Sequence, residues 1–173
     1  MPLLSLDCLT LTDTAPPDVI RAAADAGFEL VSMWVQPPPI YPAAQFLLAQ
    51  LWECRSLLAD TGVSLHLLEV FDLVSEDALE SYRPALEAGA ELGGKAALTY
   101  QLTNPDQSYA ADILGRFAEI AAEYGLATNV DLWPWGNARL CDRLATSSPS
   151  PVRMWASWPI PGTSSGRAGR LRT

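Results

Sequence analysis

The stretch YAADILGRFAEIAAEYGLATNVDLW, residues 109–133, contains one complete structural unit of this chain. Apolar residues recur every three or four positions over residues 109–124, which predicts an amphipathic helix. Gly125 follows, as is typical of the residue after a helix, where the backbone often turns left-handed. Residues 126–133 are apolar and rich in β-formers, which predicts a buried strand.

The same order of strand, helix and glycine recurs along the chain. Further strands are predicted over residues 3–11, 28–35, 63–70 and 96–102, and further helices from about Pro17 and over residues 43–60 and 75–92. The glycines that end the helices are Gly27, Gly62, Gly93 and Gly125, at spacings of 35, 31 and 32 residues. A strand and a helix repeating at this period predict a parallel α/β fold.

Two parallel architectures remain open on this pattern alone: an open doubly wound sheet and a (β/α)8 barrel. The glycine-rich fingerprints of nucleotide-binding open sheets are absent from the chain. Eight units of about 32 residues would give the roughly 250 residues typical of a barrel. We therefore predict a partial TIM barrel, with about four βα units and a fifth strand. A small flavodoxin-like domain, in which residues 139–173 would pack on the sheet, is the competing prediction.

Charge is divided unevenly between the two ends of the chain. Residues 1–135 hold 19 of the 20 acidic and 5 of the 11 basic residues, a net charge of −14, whereas residues 136–173 carry +5. An acidic body repels phosphate backbones, which argues against a nucleic-acid partner. The three cysteines are widely spaced and no export signal is visible. We expect a cytoplasmic protein with no disulfide framework and no membrane partner.

Carboxylates near the ends of two predicted strands are the candidate catalytic groups. Asp131 interrupts the apolar fifth strand, and Glu69 lies near the end of the third. Catalytic residues of barrels lie at the C-terminal ends of strands, and a buried carboxylate needs a cation or a hydrogen-bond partner. His66 is the only histidine. Strict alternation along the strand puts it on the face opposite Glu69, unless a bulge intervenes.

Three segments together resemble the sugar phosphate isomerases/epimerases, the xylose isomerase-like TIM barrels. Residues 121–137, AAEYGLATNVDLWPWGN, are similar to the family's strand-five signature. Residues 68–71, LEVF, resemble its third strand, and residues 84–94, PALEAGAELGG, resemble its third helix. The resemblance covers about residues 3–138. It implies isomerisation, epimerisation or dehydration of a small sugar, sugar phosphate or polyol.

The resemblance also implies a divalent metal, Mn²⁺ or Mg²⁺, held by carboxylates and a histidine. Asp131 matches the position of the first metal-ligand glutamate, with a side chain one methylene shorter. Trp135 and Asn137 match positions near the substrate. Glu69 matches an acid that faces the pocket, so Glu69 and Asp131 are the implied catalytic residues.

The resemblance stops abruptly after Asn137, and the tail is rich in serine, proline and arginine. One DNA sequence that can encode residues 154–167 also encodes a second peptide when its codons are read from the third base. That peptide is Val-Gly-Ile-Leu-Ala-Asp-Thr-Trp-His-Phe-Phe-Arg. This peptide resembles the family's sixth strand. We therefore expect a frameshift near Arg139, a half-barrel over residues 1–138 and a disordered, out-of-frame tail over residues 139–173.

On this view the later metal ligands are missing, and the chain as it stands is inactive or nearly so. Two alternatives stay open. The first is a non-catalytic half-barrel that self-associates through its open sheet edges. The second is a DNA-repair barrel of the endonuclease IV type, which the acidic body and single histidine disfavour.

Overall fold

The computed structural model describes residues 3–35, 50–100, 107–131 and 152–155. Six parallel strands form one sheet in the order β1-β2-β3-β4-β5-β6. The strands are β1 Ser5–Leu6, β2 Leu30–Trp34, β3 Ser64–Asp72, β4 Ala96–Tyr100, β5 Ala127–Asp131 and β6 Val152–Trp155. Each strand pairs with its neighbour in sequence. This order is that of a barrel, because doubly wound sheets reverse their strand order partway along the sheet.

Helices connect the first five strands, as the periodic pattern predicts. They are α1 Pro16–Asp25, α2 Leu51–Thr61, α3 Glu76–Ser81, α4 Arg83–Glu91 and α5 Gln107–Glu123. Prolines occupy the first turn of α1, where their missing N–H groups need no partner. Gly62, which follows α2, has φ +75°, a left-handed conformation that side chains resist.

The structure divides the long helix predicted over residues 75–92 into α3 and α4. Tyr82 lies between them, and Pro84 is in the first turn of α4. Proline has no N–H to continue the hydrogen bonds of α3, and it restricts the residue before it. Strand β1 is also shorter than predicted, because residues Cys8–Thr10 form a 3-10 helix that Asp7 caps by accepting from the Leu9 N–H.

One hydrophobic core lies between the sheet and its helices. Leu65, Leu68 and Phe71 of β3 are almost fully buried in it. The Phe71 ring centre lies 5.2 Å from that of Tyr82 and 5.3 Å from that of Phe117. These contacts link β3 to the junction of α3 and α4 and to α5. The core therefore fixes the position of β3, the strand that carries Glu69.

Strand β3 is irregular at two places. Val31 pairs with Leu65, but Ser32 pairs with Leu67, so β3 has one extra residue there relative to β2. A second shift relative to β4 lies between Leu68 and Phe71. Such bulges change which face a side chain takes. Strict alternation along β3, from which His66 was predicted to lie opposite Glu69, therefore does not hold.

Strand β6 comes from the segment predicted to be a disordered tail. Val152–Trp155 pair in parallel with β5, so that Asp131 is the register partner of Trp155. The other residues of 139–173 lie outside the described residues, as do residues 132–138. The domain boundary at residue 138 and the frameshift stay predictions. Within the described residues, none of the helices is long and apolar enough to cross a membrane.

Candidate functional site

A small buried cluster lies on the face of the sheet away from the helices. Cys8 and Trp34 form it, separately from the main core. Met33 and Val35, on either side of Trp34, belong to the main core. Because side chains alternate along a strand, Trp34 points to the opposite face, which is the interior of a barrel. Glu69 is the register partner of Trp34 and reaches this region from β3.

Glu69 is the buried carboxyl of this region, with a side chain only 3% exposed. Burial raises the pKa of Glu69 to about 7, and the negative charge of Asp7 adds to the increase. Hydrogen bonds from the Ser32 hydroxyl and the Cys8 thiol oppose the increase. Its Oε1 atom has no hydrogen-bond partner among the described residues. Glu69 is thus a buried carboxyl that exchanges its proton near neutral pH and has one oxygen without a hydrogen-bond partner in the described part of the chain.

Asp7 and Cys8, which follow β1, come together with Glu69, which lies within β3. Each offers one ligand atom, and these atoms lie within 4.8 Å of one another. Burial raises the pKa of the Cys8 thiol, and the charges of Glu69 and Asp7 raise it further. The backbone N–H of Cys8 donates to the Ser32 hydroxyl at 2.9 Å. Asp7, Cys8 and Ser32 were not among the predicted site residues.

Asp131, at the end of β5, is half-buried. Its negative charge also raises the pKa of Glu69, but by less than burial or the charge of Asp7 does. The charge of one predicted catalytic carboxylate, Asp131, therefore acts on the other, Glu69. Asp131 is not part of the three-residue ligand group, and neither is His66. The predicted substrate-binding residues Trp135 and Asn137 lie outside the described residues.

A second acidic residue of β3, Asp72, is held by two tyrosines. The Tyr82 hydroxyl donates to the Asp72 carbonyl at 2.7 Å, and Tyr100 hydrogen-bonds to the carboxyl. Burial nevertheless raises the pKa of Asp72. Further along the sheet, the Asn129 Oδ1 atom of β5 is buried with no partner among the described residues. Polar groups are therefore spread along the carboxyl ends of β3, β4 and β5.

The acidic residues Asp7, Glu69 and Asp131, together with Cys8, do not form a complete site for the Mn²⁺ or Mg²⁺ that the resemblance implies. Such hard cations take about six oxygen ligands, and a thiol is a poor one. In the described part of the chain, the only group of three clustered ligand atoms includes the Cys8 thiol, and it omits Asp131. The carboxylates of Glu69 and Asp131 alone would leave most positions of a hard cation unfilled.

A sequence signal for the missed residues existed but was weak. Asp7-Cys8 lies within the first predicted strand, residues 3–11, and only the structure, in which β1 ends at Leu6, puts the pair at the carboxyl end of a strand. Glu69 lies two strands away, so the contact depends on how β1, β2 and β3 are staggered. The bulge in β3 changes this stagger, and apolar periodicity does not predict it.

Solved structures with the same fold are found, although no protein-family model and no curated protein matches the chain. A xylose isomerase domain containing protein from Salmonella typhimurium LT2 has a TM-score of 0.65 at 14% identity, over 88% of this chain and 61% of that one. D-psicose 3-epimerase in the presence of D-fructose has a TM-score of 0.62 at 13% identity, over 88% and 62%. A xylose isomerase-like TIM barrel protein from Mycobacterium smegmatis in complex with magnesium has a TM-score of 0.58 at 13% identity, over 88% and 63%.

The chain spans about six-tenths of the length of these solved structures. Its parallel sheet, with strands in sequence order and connecting helices, is the part of a barrel that the sequence pattern predicts. The predicted fold class is thereby confirmed. The chain has the fold of the xylose isomerase-like TIM barrels, to which the sugar phosphate isomerases/epimerases belong, over part of a barrel.

Proposed function

We propose that the barrel of which this chain is a part isomerises, epimerises or dehydrates a small sugar, sugar phosphate or polyol. Glu69 is the group that moves the proton. The observation that carries this proposal is the buried Glu69 carboxyl of β3, whose Oε1 atom has no hydrogen-bond partner among the described residues. A general acid or base works best when its pKa is close to the working pH, and burial brings the pKa of Glu69 to about 7.

The chemistry of sugar isomerisation suits such a group. A proton is removed from the hydroxyl-bearing carbon next to a carbonyl, whose oxygen takes up the electron pair. The proton then returns to the same carbon in epimerisation or to the former carbonyl carbon in isomerisation. In the proposal, Glu69 takes this proton on its free oxygen. The Ser32 hydroxyl and the Cys8 thiol, which hydrogen-bond the carboxyl, orient it. D-fructose, which is present in the structure of the neighbouring D-psicose 3-epimerase, suggests the class of ligand.

Asp131 has a supporting role in this proposal. As the acid at the end of β5, it faces the substrate or a cation, and its charge keeps Glu69 more easily protonated. Trp135 and Asn137 remain proposed substrate contacts. A divalent metal, as in the magnesium complex of one neighbour, belongs to the proposal only with ligands beyond the described residues.

The chain as it stands is proposed to be inactive or nearly so, because of the frameshift expected near Arg139. The test compares the 173-residue chain with a protein whose gene is restored to the shifted register after codon 139. Both are assayed with Mn²⁺ or Mg²⁺ on ketohexoses, polyols and their phosphates. Only the restored protein should turn over a substrate. Turnover by the 173-residue chain would show that the frameshift account is wrong.

The role of Glu69 is tested in the restored protein by Glu69→Gln, with Glu119→Gln as the matched control. Glu119 is exposed on α5 and makes no ion pair in the described residues. Loss of a general acid or base costs roughly 10²- to 10⁴-fold in kcat, whereas the control should stay within about twofold. A Glu69→Gln protein with unchanged kcat would refute this role.

A non-catalytic half-barrel that self-associates is the second candidate. The observation that favours it is the β1 edge, where Leu3 and Leu4 are 64% and 58% exposed. Among the described strands, β1 pairs only with β2. Unpaired strand edges with apolar side chains promote pairing with another chain. Sedimentation of the 173-residue chain at several concentrations decides, since a strictly monomeric species eliminates this candidate.

A further inference from the structure

The group formed by Asp7, Cys8 and Glu69 combines two carboxylates and one thiol. Their ligand atoms lie within 4.8 Å of one another. Zinc–ligand bonds are about 2.0–2.3 Å long, so the ligand atoms of one zinc ion lie within about 4 Å of each other. Closing the group therefore needs a movement of about an ångström or less. Asp7 is exposed and can make this movement.

A second observation points independently to a ligand in this place. Glu69 is 3% exposed, and its Oε1 atom has no hydrogen-bond partner among the described residues. Within the described residues it also has no ion pair with lysine, arginine or histidine. A buried carboxyl oxygen with no partner is costly, and buried charges are otherwise paired or bound to a metal.

We propose that Asp7, Cys8 and Glu69 form a binding site for a thiophilic divalent cation, with Zn²⁺ as the occupant. Thiolate, with carboxylate oxygens, suits zinc, whereas Mg²⁺ and Mn²⁺ favour oxygen ligands alone. Three protein ligands leave the fourth tetrahedral position open for water or substrate. On binding, the Cys8 thiol gives its proton to solvent and the sulfur becomes a zinc ligand.

This site goes beyond the proposed function and does not depend on it. Asp7, Cys8 and Glu69 come from β1 and β3, whereas the metal ligand implied by the resemblance is Asp131 of β5. A Glu69 carboxylate bound to zinc cannot also carry a proton. Zinc at this site would therefore inhibit the proton transfer proposed for Glu69, which belongs to the zinc-free protein. Zinc binding is tested on the 173-residue chain and proton transfer on the restored protein, so the two proposals can fail separately.

The test uses the purified, reduced and chelator-treated 173-residue chain, titrated with Co²⁺ and then with Zn²⁺. Cobalt reports a thiolate ligand by its charge-transfer absorption, and zinc should displace it at a stoichiometry of about one per chain. Cys54→Ser/Cys141→Ser is the matched control, because it leaves Cys8 as the only thiol. The control should keep the absorption band, and Cys8→Ser should lose it.

The carboxylates are tested by Asp7→Asn and Glu69→Gln. Asparagine keeps the side-chain oxygen that caps the Leu9 N–H, so Asp7→Asn removes the charge and leaves the local fold in place. Each variant should weaken zinc affinity by at least about tenfold, as even outer-shell partners of a metal do. Absence of the cobalt band in the Cys54→Ser/Cys141→Ser chain overturns the proposal. Unchanged zinc affinity in Asp7→Asn also overturns the proposal. This result does not depend on whether the Cys8→Ser chain folds.

Discussion

The backbone N–H of Cys8 donates a hydrogen bond of 2.9 Å to the hydroxyl of Ser32, which joins the end of β1 to the middle of β2. Both residues are buried. The same hydroxyl hydrogen-bonds the Glu69 carboxyl of β3. Ser32 thus links Cys8, which follows β1, to β2, and its hydroxyl also favours the ionised form of Glu69 on β3.

Ser32→Ala should destabilise the fold by about 1–3 kcal/mol, because it leaves the buried Cys8 N–H without its acceptor. Urea denaturation followed by circular dichroism measures the change in the free energy of unfolding. Ser64→Ala is the control, since Ser64 is exposed at the start of β3. A cost for Ser32→Ala no larger than that for Ser64→Ala would show that the hydrogen bond has no structural role.

The raised pKa of Glu69 predicts that stability falls as the pH rises from about 4.5 to about 7. In this range the folded chain keeps a proton that the unfolded chain has released, so raising the pH favours unfolding. The full effect is about 3 kcal/mol, since one pKa unit corresponds to about 1.4 kcal/mol. The measurement is the free energy of unfolding at pH 5 and pH 8, with a chelator present.

Glu69→Gln removes this contribution, so the difference in stability between the original chain and the variant isolates it. The raised pKa of Asp72 affects both proteins and cancels. The original chain should lose about 2.5 kcal/mol more than Glu69→Gln between the two pH values, since part of the effect already lies below pH 5. Equal losses would mean that Glu69 ionises normally in the folded chain.

Close packing between α4 and β3 predicts that Gly89→Ala is destabilising. A Cβ atom at Gly89 would overlap the buried side chain of Leu68. Overpacking costs about 1–3 kcal/mol, which exceeds the gain of about 1 kcal/mol from alanine's helix propensity. Gly115→Ala is the control on α5. It has open space around the added atom and should be stabilising by about 0.5–1 kcal/mol.

Truncating the overlapped side chain tests the cause. In the double variant Gly89→Ala/Leu68→Ala, the new methyl group gains room, so the combined loss should be smaller than the sum of the single losses. Thermal denaturation of the four proteins gives this coupling. Strict additivity would mean that Gly89 and Leu68 do not restrict each other.

The fold could be predicted from the sequence because its signals are local and repeated. The glycines after α1, α2, α4 and α5, and the apolar strands between these helices, give the parallel βα order directly. The break at Tyr82 could also have been read from Pro84. The short β1 could not, because its end depends on the Asp7 cap and on contacts with β2.

The candidate site was only partly predictable. Glu69 stood out as an acid near the end of a predicted strand, and it is buried in the structure; its catalytic role stays a prediction. Its neighbours Asp7, Cys8 and Ser32 depend on strand stagger and on the bulge beside His66, which are long-range features. The predicted residues Trp135 and Asn137 stay untested, since they lie outside the described residues.

Pairing of β6 with β5 predicts the result of removing residues 139–173. Without Val152–Trp155, the backbone groups of β5 that face β6 lose their partners. An uncovered strand edge promotes pairing between chains. The shortened chain should therefore self-associate more strongly in sedimentation velocity than the 173-residue chain. Identical sedimentation of the two would argue that β6 does not protect the edge of the sheet in solution.

The most direct measurement is a carboxyl ¹³C NMR titration of Glu69 in the 173-residue chain, free of metal, with Glu69→Gln to assign the signal. The account predicts a midpoint at a pH of about 7, because the carboxyl is buried beside Asp7 with only partial hydrogen bonding. A midpoint at the ordinary glutamate value of about 4.5 would contradict it, since Glu69 would then be a permanently charged group unsuited to holding and moving a proton near neutral pH.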